Sequence, residues 1–113
     1  MKKISILGCG WLGLPLAKSL INKGFSVKGS TTSEAKLAVL ESANIQAYSI
    51  RLTENKVMGN IEAFLSESEI LIIDIPPGLR RDISISFVDK IKTLVTQIEK
   101  SQIKKVLFVS SIS

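Results

Sequence analysis

Short apolar runs alternate with stretches of helical periodicity along the chain. Lys3–Leu7 is a β-branched apolar run that predicts a buried strand, and leucine and alanine recur at helical spacing after it as far as Lys23–Gly24. Phe25–Gly29 predicts a second short strand. The first thirty residues are therefore expected to form a strand, a glycine-containing turn, a helix and another strand.

The remainder of the chain repeats this alternation. Three further helices are predicted, namely Ser33–Asn44 with Ser33 as its N-cap, Asn60–Leu65 with Asn60 as its N-cap, and Ser84–Lys100. Three further strands are predicted, namely Ile45–Ile50 near a sheet edge, Ile70–Ile75 in the sheet centre, and Val106–Val109, whereas Thr53–Gly59 is polar and turn-like. The pattern predicts an α/β fold, a doubly wound parallel sheet of the Rossmann type with five strands in the order 3-2-1-4-5.

The predicted turn after the first strand carries glycines in the pattern G-x-G-x-x-G. Gly8 permits a tight turn, Gly10 lets the backbone approach a diphosphate closely, and Gly13 lets the helix pack against the strand. A helix N-terminus follows and offers free N–H groups to the phosphates. The context favours dinucleotide binding over small residues that only permit close packing. The predicted cofactor-binding residues here are Gly8, Cys9, Gly10, Trp11, Leu12 and Gly13.

Ligands of such sheets bind beyond the carboxyl ends of the strands, where the strand order reverses. The glycine turn lies at that edge. Ile75, Pro76 and Pro77 lie there as well, because the two prolines lack an N–H group and must end the fourth strand. These three residues are therefore also predicted to contact the cofactor. Ser110 and Ser111, after the fifth strand, fall on the same edge.

The second predicted strand is followed by Ser30, Thr31, Thr32 and Ser33, with Lys36 one turn into the next helix. An NAD-specific site places a carboxylate about 20 residues after the glycines, where it holds the ribose hydroxyls. Hydroxyls, a helix N-terminus and a cation suit the 2′-phosphate of NADP instead. Ser30, Thr31, Thr32 and Lys36 are thus predicted to favour NADP over NAD. The alternative is that this stretch only caps a helix.

Three segments resemble one enzyme family. Ile4–Ala17, Gly29–Ser33 and Leu107–Ser113 are similar to the N-terminal part of the extended short-chain dehydrogenase/reductases, of the nucleotide-sugar epimerase/dehydratase type. Ordinary members carry G-x-x-G-x-x-G, whereas the spacing of Gly8, Gly10 and Gly13 fits an atypical branch that opens with I-L-G-C-G-W-L-G. The resemblance covers nearly all of the chain and implies an NAD(P)-dependent oxidoreductase or epimerase.

The resemblance also implies a catalytic serine at Ser111, with Ser110 as the alternative register. Its hydroxyl would hydrogen-bond the substrate and share a proton with the tyrosine of a Tyr-x-x-x-Lys pair that is expected beyond Ser113. Tyr48, the single tyrosine, lies in the third strand and cannot match it. An ordinary turn after the fifth strand is the alternative for Ser110–Ser111.

Residues 1–113 are thus expected to be the cofactor-binding domain of a longer enzyme, and the pocket for its unknown small-molecule substrate to lie downstream. Two other functions stay open at this point. A non-catalytic module would hold the dinucleotide without a transfer reaction. A methyltransferase would carry an acidic residue after the second strand and no Ser-Ser after the fifth.

Composition restricts the remaining classes of function. The chain has 113 residues and a net charge of +5, no histidine and one cysteine, which argues against a zinc site and a disulfide. The lysines are scattered and aromatic residues are few, so no nucleic-acid partner is expected. No apolar run is long enough for a membrane span, and a cytoplasmic location is expected. Apolar surface around Phe108 and the helix containing Phe87 predicts self-association into a homo-oligomer.

Overall fold

The computed structural model describes residues 2–8, 13–32, 34–52, 57–73 and 92–108. Its strands are β1 (Lys3–Leu7), β2 (Ser26–Thr31), β3 (Gln46–Ser49), β4 (Arg51–Leu52), β5 (Val57–Met58), β6 (Ile70–Ile73) and β7 (Lys105–Phe108). Its helices are α1 (Gly13–Asn22), α2 (Glu34–Ser42) and α3 (Ile61–Leu65), and residues 92–99 are also helical and are termed α4.

Five strands form a sheet in the order β3-β2-β1-β6-β7. Every neighbouring pair in it is parallel, with β1 pairing to β2 through Ile4↔Val27 and to β6 through Ile4↔Ile70. Counted as the five strands of this sheet, the order is 3-2-1-4-5, so the predicted topology is confirmed. β3 lies at an edge, as expected.

Apolar side chains cover both faces of the sheet, because alternate residues of a strand point to opposite sides. On one face α1 and α2 pack over a core formed by Ile4, Ile6, Ala17, Val27, Leu40, Ile45 and Ile72. On the other face α3 and α4 contribute to a second core formed by Leu7, Ile50, Ile61, Phe64, Leu65, Leu71, Ile73 and Leu94. The sheet is doubly wound.

The two helices of the first face end in the same way. The N–H of Gly24 donates to the Ile21 carbonyl and that of Phe25 to the Leu20 carbonyl, with Gly24 at a φ of 96°. Asn44, at a φ of 66°, closes α2 with the same pair of hydrogen bonds. These left-handed residues satisfy the last helical carbonyls and direct the chain into the next strand.

The structure differs from the sequence expectations at β2, at α2 and in the segment predicted as a polar turn, besides shifts of one residue at the ends of other strands. β2 continues through Ser30 and Thr31 instead of ending at Gly29, because both residues pair with β3. α2 ends at Ser42, slightly earlier than predicted. Within the segment predicted as a polar turn, β5 pairs antiparallel with β4 through Leu52↔Val57. Asn60 caps α3 as predicted, accepting the N–H of Ala63.

A polar cluster lies between the sheet and the end of α3. The Ser5 hydroxyl donates to the Phe64 carbonyl (2.6 Å) and contacts the Ser68 hydroxyl. Lys28 Nζ donates to the Ala63 and Ser66 carbonyls at 2.7 and 2.6 Å. Gln102 donates from Nε2 to the Leu65 and Ser68 carbonyls. The cluster thereby supplies donors to the carbonyls that end a short helix.

Several sequence predictions fall on residues outside the described ranges. They include the Ser33 cap, Asp74–Ile75 at the end of the fourth strand, Ser84–Ile91 at the start of the last helix, and Val109. Within the ranges described above, no helix is both long and apolar enough to cross a membrane.

Candidate functional site

The carboxyl ends of the five parallel strands lie at one edge of the sheet. β1 occupies the centre, and the chain proceeds to β2 and β3 on one side of it and to β6 and β7 on the other. The order therefore reverses between β1 and β6, whose last residues Leu7 and Ile73 are partners in the ladder. This reversal is where parallel α/β sheets leave a crevice for a ligand.

The glycine turn begins at this reversal. Gly8 follows β1 directly and has a φ of 89°, a left-handed conformation that glycine adopts without a steric cost. α1 begins at Gly13 and has no acidic residue in its first turn, so no carboxylate opposes an anion at that helix end. Ala17, completely buried, lies in the core with Ile4 and Ile6 of β1. α1 thus packs closely against the central strand.

A side chain of β2 holds the start of this turn. The N–H of Gly8 donates to the Ser30 hydroxyl oxygen at 2.9 Å, and Ser30 is only 1% exposed. The sequence predicted Ser30 as a polar residue of the cofactor site but did not predict this contact. The feature of the sequence that could have indicated the contact is the residue type of Ser30. It places a hydroxyl at the end of a buried strand, where NAD-binding domains commonly have a carboxylate.

The other predicted residues on this side differ in exposure. Thr31 ends β2 and is buried, whereas Thr32 is exposed. Lys36 is exposed in α2, and Glu34 provides a carboxylate in the first turn of the same helix. The described residues around the start of α2 therefore include the exposed Thr32 and the Lys36 cation, with Glu34 as an opposing negative charge.

The structure brings Gly8, Gly13 and Ser30–Thr32 to the carboxyl edge of the sheet. The remaining candidates lie outside the described residues, namely Cys9, Gly10, Trp11, Leu12, Ile75, Pro76, Pro77, Ser110 and Ser111. Among the residues that the structure does describe, no cluster of three or more His, Cys, Asp or Glu side chains could hold a metal ion. The described part of the site consists of Gly8, whose N–H is bonded to Ser30, the hydroxyl residues Ser30–Thr32 at the end of β2, and the exposed Lys36 near the start of α2.

Known proteins resemble this chain in sequence or in fold. Protein YeeZ of Escherichia coli strain K12 is 30% identical over 114 residues, a match that takes in the whole chain but only 42% of YeeZ. Among solved structures, Candida albicans Gre2 in complex with NADPH matches 98% of the chain with a TM-score of 0.75 and 20% identity. Yeast methylglyoxal/isovaleraldehyde reductase Gre2, complexed with NADPH, matches 96% with a TM-score of 0.73 and 18% identity.

The chain spans less than half of each of these proteins, covering 37% of either Gre2 chain. At these identities the two structures establish a shared fold. Residues 3–107 match the family described as the NAD binding domain of 6-phosphogluconate dehydrogenase, which includes nearly the whole chain. The matched region includes the glycine turn at the β1–β6 reversal, and the chain belongs to this family of NAD-binding domains.

Proposed function

We propose that the chain is the cofactor-binding domain of an NADP-preferring oxidoreductase of the extended short-chain dehydrogenase/reductase or epimerase type. The observation that carries this proposal is the left-handed conformation of Gly8, which follows the central strand β1 and precedes α1 in the chain, at the strand-order reversal. A helix N-terminus placed at such a reversal offers main-chain N–H groups to a diphosphate.

The choice of a reductase is supported by the structural relatives. Both Gre2 structures contain NADPH, and the yeast protein is named a methylglyoxal/isovaleraldehyde reductase. Because the chain spans only 37% of them, the proposed substrate pocket and Tyr-x-x-x-Lys pair would belong to the part of a longer protein beyond Ser113. Ser111 is the proposed catalytic serine, and Ile75–Pro77 the proposed lining of the cofactor crevice.

The proposed preference for NADP depends on the α2 end of the site. Thr32 and Lys36 are exposed there and can approach a 2′-phosphate. The ammonium group would attract a dianionic phosphate, and the net charge of +5 adds a favourable field for any anionic cofactor. Glu34 opposes this preference, so we expect a moderate preference rather than exclusion of NAD.

Trp11 provides a direct test, because it is the single tryptophan of the chain and lies in the G-x-G-x-x-G segment. Titration with NADPH and with NADH is expected to change its fluorescence in both cases, with a lower dissociation constant for NADPH. Equal affinities, or tighter binding of NADH, would contradict the preference. Absence of any saturable change, together with no heat of binding in calorimetry, would contradict dinucleotide binding itself.

A second candidate function is a non-catalytic module that holds the dinucleotide. It requires no tyrosine at the reaction site, and Tyr48, the single tyrosine of these 113 residues, lies in β3. Its ring packs edge-on against Phe64 with centroids 5.6 Å apart, in the core on the α3 face rather than at the proposed reaction site.

The two candidates are distinguished by comparing the 113-residue chain with a longer natural protein that contains it. NADPH and methylglyoxal are the probes. Binding by both polypeptides with NADPH oxidation only by the longer one would support the reductase. Binding without oxidation by either, over a panel of carbonyl compounds, would support the non-catalytic module.

The cellular setting is part of the same proposal. With one cysteine the chain can form no internal disulfide, as suits a reducing compartment. We therefore place the domain in the cytoplasm, where a dinucleotide-dependent reductase has access to its cofactor.

A further inference from the structure

The hydroxyl of Ser30 is buried and bonded within the protein, and is not exposed to a ligand. It accepts the main-chain N–H of Gly8 at 2.9 Å, although the two residues are 22 positions apart. Ser30 is 1% exposed and pairs with Tyr48 of β3 in the sheet. The oxygen is therefore directed inward, at the first residue of the glycine turn.

Gly8 needs such a partner because it has left the sheet. β1 pairs with β2 as far as Ile6↔Gly29 and with β6 as far as Leu7↔Ile73, so the ladder ends just before Gly8. A glycine has no side chain to restrict its backbone, and it populates positive and negative φ about equally in an unfolded chain. The hydrogen bond that Gly8 donates to Ser30 is the contact that the structure shows at Gly8, whose φ is 89°.

We propose that Ser30 is a positioning residue for the dinucleotide. It holds Gly8 in the left-handed conformation and so orders the start of the turn before a diphosphate arrives. The free energy of cofactor binding then does not have to offset the conformational entropy lost when that backbone becomes ordered. The inference rests on the proposed dinucleotide function, and it assigns to Ser30 a role through Gly8 in place of a contact with the 2′-phosphate.

This assignment also separates two tasks at the end of β2. The buried oxygen of Ser30 serves the diphosphate turn, which NADPH and NADH share. Selection between the two cofactors is left to exposed groups, of which Thr32 and Lys36 are the candidates. Removal of the Ser30 hydroxyl should therefore weaken both cofactors by the same factor, whereas a direct contact with the 2′-phosphate would make the loss specific to NADPH.

The test uses Ser30→Ala and Ser30→Thr, the second of which keeps a hydroxyl. Ser5→Ala is the matched control, since Ser5 is a completely buried serine of the adjacent strand whose hydroxyl contacts Phe64 and Ser68. Dissociation constants for NADPH and NADH are measured at a temperature where every variant is folded. We expect Ser30→Ala to raise both constants about tenfold, the loss of roughly one buried hydrogen bond. Ser30→Thr should recover most of the affinity, and Ser5→Ala should leave both constants unchanged.

Amide hydrogen exchange at Gly8 provides a measurement that is independent of any cofactor. It should be faster in Ser30→Ala than in the wild type, while exchange at Ile6 inside the ladder stays the same. Unchanged exchange at Gly8, unchanged affinity in Ser30→Ala, or a loss confined to NADPH would each overturn the positioning role while leaving dinucleotide binding intact. If the wild type binds neither cofactor, the proposed function is wrong and the inference falls with it.

Discussion

Ser5, Lys28 and Ser30 are polar side chains buried inside the two central strands β1 and β2. Each has hydrogen-bond partners, as a buried polar group requires. Lys28 is the extreme case: it is 5% exposed, its Nζ donates to two carbonyls, and it lies 5.8 Å from the ring centroid of Tyr48. At the residue scale, hydrogen bonding therefore explains how strands that belong to the core tolerate polar residues.

Burial lowers the pKa of Lys28 below its ordinary value of 10.5; the charge of Lys3 lowers it further and that of Glu67 partly restores it. At pH values between the pKa of Lys28 in the folded chain and 10.5, the unfolded chain binds more protons than the folded chain. The free energy of unfolding should therefore rise with pH in this range. We expect Lys28→Met to lack this rise. Urea denaturation at several alkaline pH values measures it.

Lys23→Met is the control for that experiment, because Lys23 is exposed in the turn after α1. It should keep the alkaline rise of the wild type. Parallel pH profiles for the wild type and Lys28→Met would show that the buried ammonium group does not govern this dependence.

Two glycines with positive φ predict different costs for the same substitution. At Gly24, φ is 96°, and apart from its chain neighbours no atom lies within 4 Å of an added β-carbon. Gly24→Ala should therefore lower the free energy of unfolding by about 1 kcal/mol, from backbone strain alone. At Gly59, φ is 107° and the β-carbon would lie 2.1 Å from the Ser49 carbonyl oxygen. Gly59→Ala should therefore lower the free energy of unfolding by about 3 kcal/mol or more. Urea denaturation measures both losses, and equal losses would contradict the clash at Gly59.

At the scale of elements, α1 and α2 differ in the charges that they carry near their N-termini. α1 begins at Gly13 without an acidic residue in its first turn, so no carboxylate of that turn would repel a diphosphate. α2 carries Glu34 and Lys36 near its start. Cofactor choice is therefore expected to depend on α2, and phosphate binding on the turn before α1.

Replacing Lys36 with alanine should weaken NADPH binding about fivefold and leave NADH binding unchanged, since an exposed charge pair contributes about 1 kcal/mol or less. The effect on NADPH should shrink at high ionic strength. Fluorescence titration of Trp11 measures both constants. Lys23→Ala, at the opposite end of α1, is the control and should change the affinity for neither cofactor. An equal loss of affinity for NADPH and NADH in Lys36→Ala would argue against a contact with the 2′-phosphate.

At the scale of the whole molecule, one edge of the sheet is apolar and accessible. In β7 the side chains of Val106, Leu107 and Phe108 are 37%, 51% and 62% exposed, and among the described residues only β6 pairs with this strand. The exposure predicted around Phe108 is confirmed. Such an edge offers unpaired backbone groups to another strand. We propose that in the 113-residue chain a second copy pairs there, edge to edge.

Phe108→Lys should weaken that association, because a charge on an edge strand opposes pairing. Sedimentation velocity over a range of concentrations should show wild-type dimers and a variant that stays monomeric to higher concentration. Lys105→Arg, in the same strand, preserves charge and serves as the control. A wild type that is monomeric throughout would refute pairing through β7.

Most of the architecture follows from local patterns in the sequence. Lys3–Leu7, the glycines at 8 and 13, and the leucines of α1 predict a strand, a turn and a helix because burial periodicity and glycine conformation are properties of neighbouring residues. The parallel order followed from the strand–helix alternation. The cofactor family, NAD(P), followed from the glycine spacing in that context.

The contacts between distant residues were decided by the tertiary structure alone. The bond from Gly8 to Ser30 and the cluster that joins Ser5 and Lys28 to α3 depend on the register of β1 against β2, in which a slip of one residue would turn each side chain to the other face. The extension of β2 through Thr31 likewise depends on pairing with β3. Periodicity along the chain determines which residues are buried, whereas only the packed sheet determines which buried polar groups meet.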